Sequence, residues 1–263
     1  MNLVEDNRSV IYLGTRFILY LGEILDNTQH EHHYIQLTIA LENQFDLEIM
    51  DNNQSYKGVI INSDYNHKLN GENCNKLLVL ISPESEEGIR IKETLLKEQS
   101  LYLVREEEID HIRELSKDFL SLIEEERNVE ELYENIMRTF IRDIRINRNL
   151  DSRVQYLIDF MRNSEELNIP VKHMAKLVYL SESRLIHLFK EEIGIPIRQY
   201  ILWIRIQKAL RLMYNNYNFT EAAYNSGFSD SAHLSRTFRR MFGFSITEVI
   251  KNSKFIQLFF STK

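Results

Sequence analysis

The sequence of 263 residues contains a single cysteine, Cys74. One thiol can form neither an intramolecular disulfide nor a thiolate metal cluster, which excludes a disulfide-stabilised secreted fold. Apolar runs are short, and even residues 77–81 and 201–204 are far below the about 20 residues that a membrane-spanning helix needs. No basic stretch followed by an apolar segment begins the sequence, so no signal peptide is predicted. We therefore expect a cytoplasmic protein with no membrane partner.

Basic residues are fewer than acidic residues over the whole chain, which has a formal net charge of −7. This shortage of basic residues is confined to the N-terminal part of the chain. Residues 149–263 contain 16 Lys and Arg against 10 Asp and Glu, a net charge of +6, whereas residues 1–148 have a net charge of −13. A split of this size predicts a basic module that meets a polyanion and an acidic module with another role.

Short apolar runs separated by asparagine-rich turns make up the first hundred residues. They predict strands over residues 9–14, 16–21, 34–41, 45–50, 56–61 and 77–81, and Pro83 ends this β region. Several short strands with frequent turns are typical of a small β-barrel or β-sandwich. Two helical patterns follow, over residues 106–126 and 129–147, each with one apolar stripe. Either both stripes cover the β domain, or one of them pairs with a second chain in a homodimer.

From Asp151 onward the apolar period is helical, and Pro170 and Pro196 stand where helices are predicted to begin. A short helix over residues 171–178 and a turn precede a second helix, which Ser181 is predicted to cap. One arc of that second helix is apolar, and the opposite arc carries hydrogen-bond donors and cations, the groups that read base edges and contact phosphates. The apolar arc consists of Leu185, Leu188 and Phe189.

The same pattern recurs over residues 219–242. A short helix, a tight turn at Gly227 and a cap at Asp230 or Ser231 predict a second helix-turn-helix unit. Its second helix is predicted to bury Leu234, Phe238 and Met241. Residues 197–213, between the two units, are apolar around most of the helical circumference and are predicted to form a buried helix that fixes the spacing of the units.

Residues 180–190 and 219–243, with Gly194, Tyr200 and Arg205, resemble the AraC/XylS family of bacterial transcription regulators. The resemblance covers roughly the last hundred residues and implies two recognition helices in successive major-groove faces of double-stranded DNA. By position it implies that the base-facing residues are Ser183, Ile186, His187, Ser231, Ala232 and Arg236, and that the backbone-facing residues are Arg184, Lys190, Arg239 and Arg240. The sequence departs from the family at His187, where arginine is common, and at Ile246, Val249 and Ile250, so the family's last helix is expected to pack differently.

The N-terminal strands resemble the cupin-type sensor domains that often precede this module, through His30, His32, a strand that contains Gly58, and His67. Many cupins bind a metal through such histidines, and these three are the candidate ligands here. Period-two alternation places His30 and His32 opposite the apolar face of their strand, so they are expected to look at solvent or at the mouth of a polar pocket.

The carboxylate that often follows such a histidine pair is absent, because Gln36 and Thr38 stand at those positions. The sequence alone therefore favours histidines without a metal, and no cofactor is predicted.

The predicted fold is α+β in four parts. Residues 1–100 form a cupin-like β-barrel or sandwich that acts as a sensor, and residues 101–148 form helices. Residues 149–250 form an all-α AraC-type domain with helix-turn-helix units at about 171–191 and 219–242, and residues 251–263 form a tail. The predicted function is a sequence-specific DNA-binding transcription regulator modulated by a small-molecule effector, with RNA polymerase and a second copy of the chain as further partners.

Two enzymes compete with this interpretation. A cupin-type metalloenzyme fused to a DNA-binding module needs a full ligand set with an acid or base beside it, and only the histidines are present. An alkyl-transfer DNA repair protein needs an activated acceptor cysteine among zinc-holding cysteines, which Cys74 alone cannot supply. We therefore predict that the chain is not an enzyme.

Overall fold

The computed structural model describes residues 9–13, 16–23, 28–49, 52–70, 74–83, 85–97, 99–122, 126–141, 150–164, 169–193, 195–242, 245–246 and 256–260. The chain forms two compact units, one of residues 1–145 and 239–263 and the other of residues 146–238. The predicted α+β class is confirmed, since the first unit is rich in strands and the second is helical. The predicted boundary at Asn149 and the departures at Val249 and Ile250 lie outside the described residues. Among the helices described, none has the length and apolar character to cross a membrane.

The first unit contains two β-sheets. The larger has the strand order β10-β1-β2-β8-β3-β6-β9 and the smaller has the order β5-β4-β7. Both sheets are open over the described residues, so the strands do not close into a barrel there. The strands are β1 (Ser9–Leu13), β2 (Phe17–Glu23), β3 (Ile35–Ala40), β4 (Phe45–Ile49), β5 (Asn52–Tyr56), β6 (Gly58–Ile61), β7 (Lys68–Asn70), β8 (Asn75–Ile81), β9 (Leu101–Leu103) and β10 (Ile256–Phe260).

Among the described elements, one helix and four strands were not predicted, namely β5, β7, β9 and β10. Strand β10 lies within the predicted C-terminal tail and pairs in parallel with β1, with Ser9 opposite Ile256. After Pro83, helix α1 (Glu86–Ile91) and a π-helical turn (Lys92–Leu96) lead to β9, which pairs with β6. The Ser85 hydroxyl caps α1 by accepting a hydrogen bond from the Gly88 amide at 3.0 Å.

Helices α2 (Glu106–Leu122) and α3 (Glu126–Phe140) contribute their apolar residues to the same core as the larger sheet. Ile109 and Ile112 of α2 are fully or almost fully buried in this core, and so are Val129 and Ile136 of α3. Close packing depends on Gly58 at the start of β6, because a Cβ there would lie 2.8 Å from Ile39 Cδ1 and 2.9 Å from Ile109 Cγ1. Over the described side chains, the stripes therefore cover the β domain, which was the first of the two interpretations.

For His30 and His32 the expected exposure to solvent is wrong, whereas the alternative, the mouth of a polar pocket, stays a prediction. Every residue of β3 is buried, including the polar Gln36 and Thr38, so both faces of this strand are covered. His30 and His32 are only 7% and 6% exposed, and His67 is 0% exposed. Period-two alternation identified the two faces correctly, but burial of the polar face could not be read from it.

The helical unit begins at α4 (Ser152–Asn163), and its helices are short except for α7. The remaining helices are α5 (Val171–Leu177), α6 (Glu182–Ile193), α7 (Ile197–Tyr214), α8 (Phe219–Asn225) and α9 (Ser231–Phe242), whose last residues belong to the first unit. Pro170 and Pro196 directly precede α5 and α7, as predicted. Helix α7 buries eight residues, among them Trp203 and Ile204, which confirms the predicted buried helix between the two helix-turn-helix units.

Candidate nucleic-acid interface

Helices α5 and α6 form the first helix-turn-helix unit. The Ser181 hydroxyl caps α6 by accepting a hydrogen bond from the Arg184 amide at 3.2 Å, as the sequence predicted. Leu185 and Phe189 are fully buried and Leu188 is nearly so. The buried arc holds α6 against the rest of the unit and leaves the opposite arc, with Ser183, Arg184, His187 and Lys190, exposed.

Helices α8 and α9 form the second unit. Asp230 is the cap of α9, because its carboxylate accepts a hydrogen bond from the His233 amide at 2.6 Å. Leu234, Phe238 and Met241 are buried as predicted, whereas Ala232, Arg236, Arg239 and Arg240 are exposed. The Arg239 guanidinium also donates a hydrogen bond to Thr28 Oγ1 at 3.3 Å.

Two predicted base-facing residues are only half-exposed. Ile186 packs against the core of the helical unit, and Ser231 is the first residue of α9. Both still border the exposed arc of their helix, where a short side chain or a methyl group can contact a base edge. Their assignment to DNA bases stays a prediction.

A capping box that was not predicted begins α8. The Asn218 side chain accepts a hydrogen bond from the Glu221 amide at 2.9 Å, and the Glu221 carboxylate accepts one from the Asn218 amide at 3.3 Å. An Asn followed three residues later by Glu is a signal that could have located this helix start. The box fixes the first turn of α8 and hence the approach to the turn before α9.

Both units turn through a residue with a left-handed backbone. Gly227 has a φ of 89° in the second unit, which confirms its predicted role in the turn, and Tyr179 has a φ of 54° in the first. Left-handed backbone is favourable for glycine but strained for a residue with a Cβ. The Tyr179 side chain is 96% exposed, so it has no burial to offset this strain.

We expect opposite effects from substitutions at the two turns. Gly227→Ala should destabilise the protein by about 1–2 kcal/mol, since its Cβ adopts the left-handed backbone and also lies 3.1 Å from Arg205 Nε. Tyr179→Gly should stabilise it by about 0.5–1 kcal/mol, because the strain removed exceeds the entropy that glycine adds to the unfolded chain. Denaturant midpoints of the full chain measure both effects. Equal midpoints for Gly227→Ala and the wild type would contradict this account.

Comparisons with known proteins agree with this geometry. Residues 174–252 match the family described as "Helix-turn-helix domain". The "Probable transcriptional regulator LumQ" of Photobacterium leiognathi is 24% identical over 235 residues, which are 86% of this chain and 93% of that protein. The "HTH-type transcriptional activator RhaS" of Escherichia fergusonii is 30% identical over 104 residues, which are 39% of this chain and 37% of that protein.

Solved structures share the fold over most of the chain. An apo variant of ToxT from Vibrio cholerae strain SCE256 has a TM-score of 0.56 and 14% identity, with 90% of this chain and 97% of that chain covered. ToxT from Vibrio cholerae O395 has a TM-score of 0.52 and 16% identity, with 93% and 97% covered. At these identities the likeness supports the fold, and the sequence matches support the class of protein. The chain therefore contains a helix-turn-helix domain, and over most of its length it is similar to a probable transcriptional regulator.

Proposed function

We propose that α6 and α9 are recognition helices that read two successive major-groove faces of one DNA site. The observation that carries this proposal is the pair of exposed arcs, one on each helix, each backed by a buried apolar arc and each carrying cations. Ser183, Ile186, His187, Ser231, Ala232 and Arg236 then face bases, and Arg184, Lys190, Arg239 and Arg240 face the DNA backbone.

The length of α7 supports the proposal that α6 and α9 both read the DNA. Its 18 residues extend over about 27 Å at 1.5 Å per residue, comparable with the about 34 Å between equivalent faces of the major groove. Because α7 is buried along most of its length, it acts as a rigid spacer between the two units.

The direct test is a footprint of the full chain on DNA from upstream of its own gene. We expect two protected major-groove faces about one helical turn, or 10 base pairs, apart. Hydroxyl-radical footprinting with scrambled DNA as the control provides the measurement. Protection of a single face would overturn the proposal of two recognition helices.

We also propose that the β-rich unit binds a small-molecule effector. ToxT from Vibrio cholerae has been crystallised with an unsaturated fatty acid and with (E)-4-(8-methylnaphthalen-1-yl)but-3-enoic acid, and these structures have TM-scores of 0.50 and 0.51 against this chain. An unsaturated fatty acid is therefore the first probe, and a change in DNA affinity when it is added is the expected result. RNA polymerase and a second copy of the chain stay proposed partners. The named relatives are regulators, which supports the proposal that the chain performs no catalysis.

Lys190→Ala is expected to weaken binding to cognate and scrambled DNA by a similar factor. Lys190 is exposed toward the end of α6, where its ammonium reaches a phosphate rather than a base edge. Loss of one phosphate contact should lower the slope of log affinity against log salt concentration by about one. The matched control is Lys57→Ala, which removes an exposed lysine of the β-rich unit that pairs with Glu106. A loss of affinity confined to cognate DNA would show that Lys190 reads sequence instead.

A further inference from the structure

Both helix-turn-helix units end their first helix with the same pattern of backbone hydrogen bonds. In the first unit the Tyr179 amide donates to the carbonyl three residues earlier at 3.3 Å, and the next amide donates to the carbonyl five residues before it at 2.9 Å. In the second unit the Gly227 amide and the amide after it make the same two bonds, both at 3.0 Å. This is the Schellman arrangement, whose left-handed residue is usually glycine. Tyr179 therefore occupies the position in the first unit that Gly227 occupies in the second.

The fold does not account for a tyrosine at this position. Left-handed backbone is strained for a residue with a Cβ, and the φ of Tyr179 is 54°. Its side chain is 96% exposed, and within the described part of the chain it makes no hydrogen bond or ring contact. Strained residues that the surrounding structure maintains are concentrated at ligand contacts and active sites. The observations at Tyr179 therefore indicate a partner outside the chain.

Tyr179 lies directly before the helix that is proposed to read DNA. It precedes Ser181, the cap of α6, by two residues, so their Cα atoms are at most about 7.6 Å apart. Over residues 172–184 the exposed charged side chains are three cations and one acid, namely Lys172, Lys176, Arg184 and Glu182. The surface beside Tyr179 is therefore positive, which suits a polyanion as the partner.

We propose that the Tyr179 hydroxyl donates a hydrogen bond to a phosphate of the DNA strand that borders the groove read by α6. The inference rests on the proposed function of α6 and adds to it a contact from the preceding turn. Tyrosine is among the side chains that donate to DNA phosphates, and only two side-chain torsions are fixed when it binds. The exposed ring extends out of the protein beside α6, where a phosphate can accept this bond.

Loss of an uncharged phosphate contact differs from loss of a lysine in its effect on binding. It weakens binding to cognate and scrambled DNA by a similar factor, because every sequence presents the same phosphate. It leaves the slope of log affinity against log salt concentration unchanged, because the counterions are released by Lys and Arg. Tyr179→Gly should therefore bind DNA more weakly, although the free variant is more stable than the wild type.

The test measures binding of the full-length Tyr179→Gly and Tyr179→Phe variants to cognate and scrambled DNA at several salt concentrations. We expect both variants to lose about 3- to 10-fold in affinity for both DNAs, the range for one hydrogen bond, at the wild-type salt slope. The matched control is Tyr156→Ala, which removes an exposed tyrosine of α4 and should bind as the wild type does. Undiminished binding by Tyr179→Gly or by Tyr179→Phe, or a loss confined to cognate DNA, would overturn the proposal.

The Lys190→Ala variant separates this inference from the proposed function on which it rests. If α6 does not contact DNA, Lys190→Ala and Tyr179→Gly both bind as the wild type does, and both proposals are wrong. If only the Tyr179 contact is absent, Lys190→Ala still weakens binding and Tyr179→Gly does not.

A chemical change in the DNA identifies the phosphate itself. Each phosphate that borders the α6 site is replaced in turn by an uncharged methylphosphonate, and the affinities of the wild type and Tyr179→Phe are compared. At one phosphate the two affinities should become nearly equal, because the same bond is then weakened from either side. A ratio of the two affinities that is the same at every phosphate would show that no phosphate accepts the Tyr179 bond.

Discussion

Phe189→Ala is expected to lower the free energy of unfolding of the helical unit by about 3–5 kcal/mol, the range for removal of a fully buried phenylalanine. Phe189 is 0% exposed, and its ring meets that of Tyr200 edge-on, with centroids 5.4 Å apart. It anchors α6, which carries the first exposed arc of the interface. Because domains are stable by only about 5–15 kcal/mol, the variant should also lose most of its specific DNA binding.

Fluorescence of the sole tryptophan can measure the stability of the helical unit of the Phe189→Ala variant. Trp203 lies buried on α7, so its fluorescence reports unfolding of the helical unit. The matched control is His187→Ala, on the same helix as Phe189 but exposed, which should change the unfolding free energy by no more than about 0.5 kcal/mol. If the unfolding transition of Phe189→Ala, followed by tryptophan fluorescence, equals that of the wild type, α6 does not depend on Phe189 for its stability.

Arg236→Ala should weaken binding to cognate DNA by about 1–3 kcal/mol, or roughly 5- to 150-fold, and should relax the preference at one base pair. Arg236 is exposed in the middle of α9, opposite the buried Leu234 and Phe238. A guanidinium there can donate two parallel hydrogen bonds to the major-groove edge of guanine, which lysine cannot reproduce. Affinity for scrambled DNA should fall much less.

The control for Arg236→Ala separates base reading from loss of charge. Arg162→Ala removes the same charge from an exposed position at the end of α4, outside both helix-turn-helix units. We expect it to leave the ratio of cognate to scrambled affinity unchanged. If Arg236→Ala lowers both affinities by one common factor at an unchanged melting temperature, Arg236 is a phosphate contact and the assignment to a base is wrong.

The helical unit was predictable because its determinants are local in the sequence. The spacing of Leu185, Leu188 and Phe189 identifies the buried arc of α6 within two helical turns. Ser181 and Asp230 mark helix starts through hydrogen bonds to amides only three residues away. Gly227 likewise satisfies a backbone requirement at its own position. Such signals need no knowledge of the rest of the chain.

The sequence did not predict that the histidines are buried, because the residues that cover them are distant along the chain. Alternation along β3 indicated one polar face, and a polar face usually meets water. Here the polar groups face one another instead of water: Gln36 and Thr38 are hydrogen-bonded to each other, and His67 approaches from a segment 31 residues away. Only the three-dimensional structure shows that this face is covered.

The pairing of β10 with β1 was unpredictable for a related reason, and it affects how the protein is made. The two strands are roughly 250 residues apart, so at about 5–20 residues per second a nascent chain presents β1 for on the order of 10–50 s before its neighbour exists. During that interval the unpaired amides and carbonyls of β1 are a template for strands of other nascent chains. In a chain truncated before residue 256, this edge of β1 would stay unpaired. We therefore expect the truncated protein to aggregate before any loss of regulation is observed.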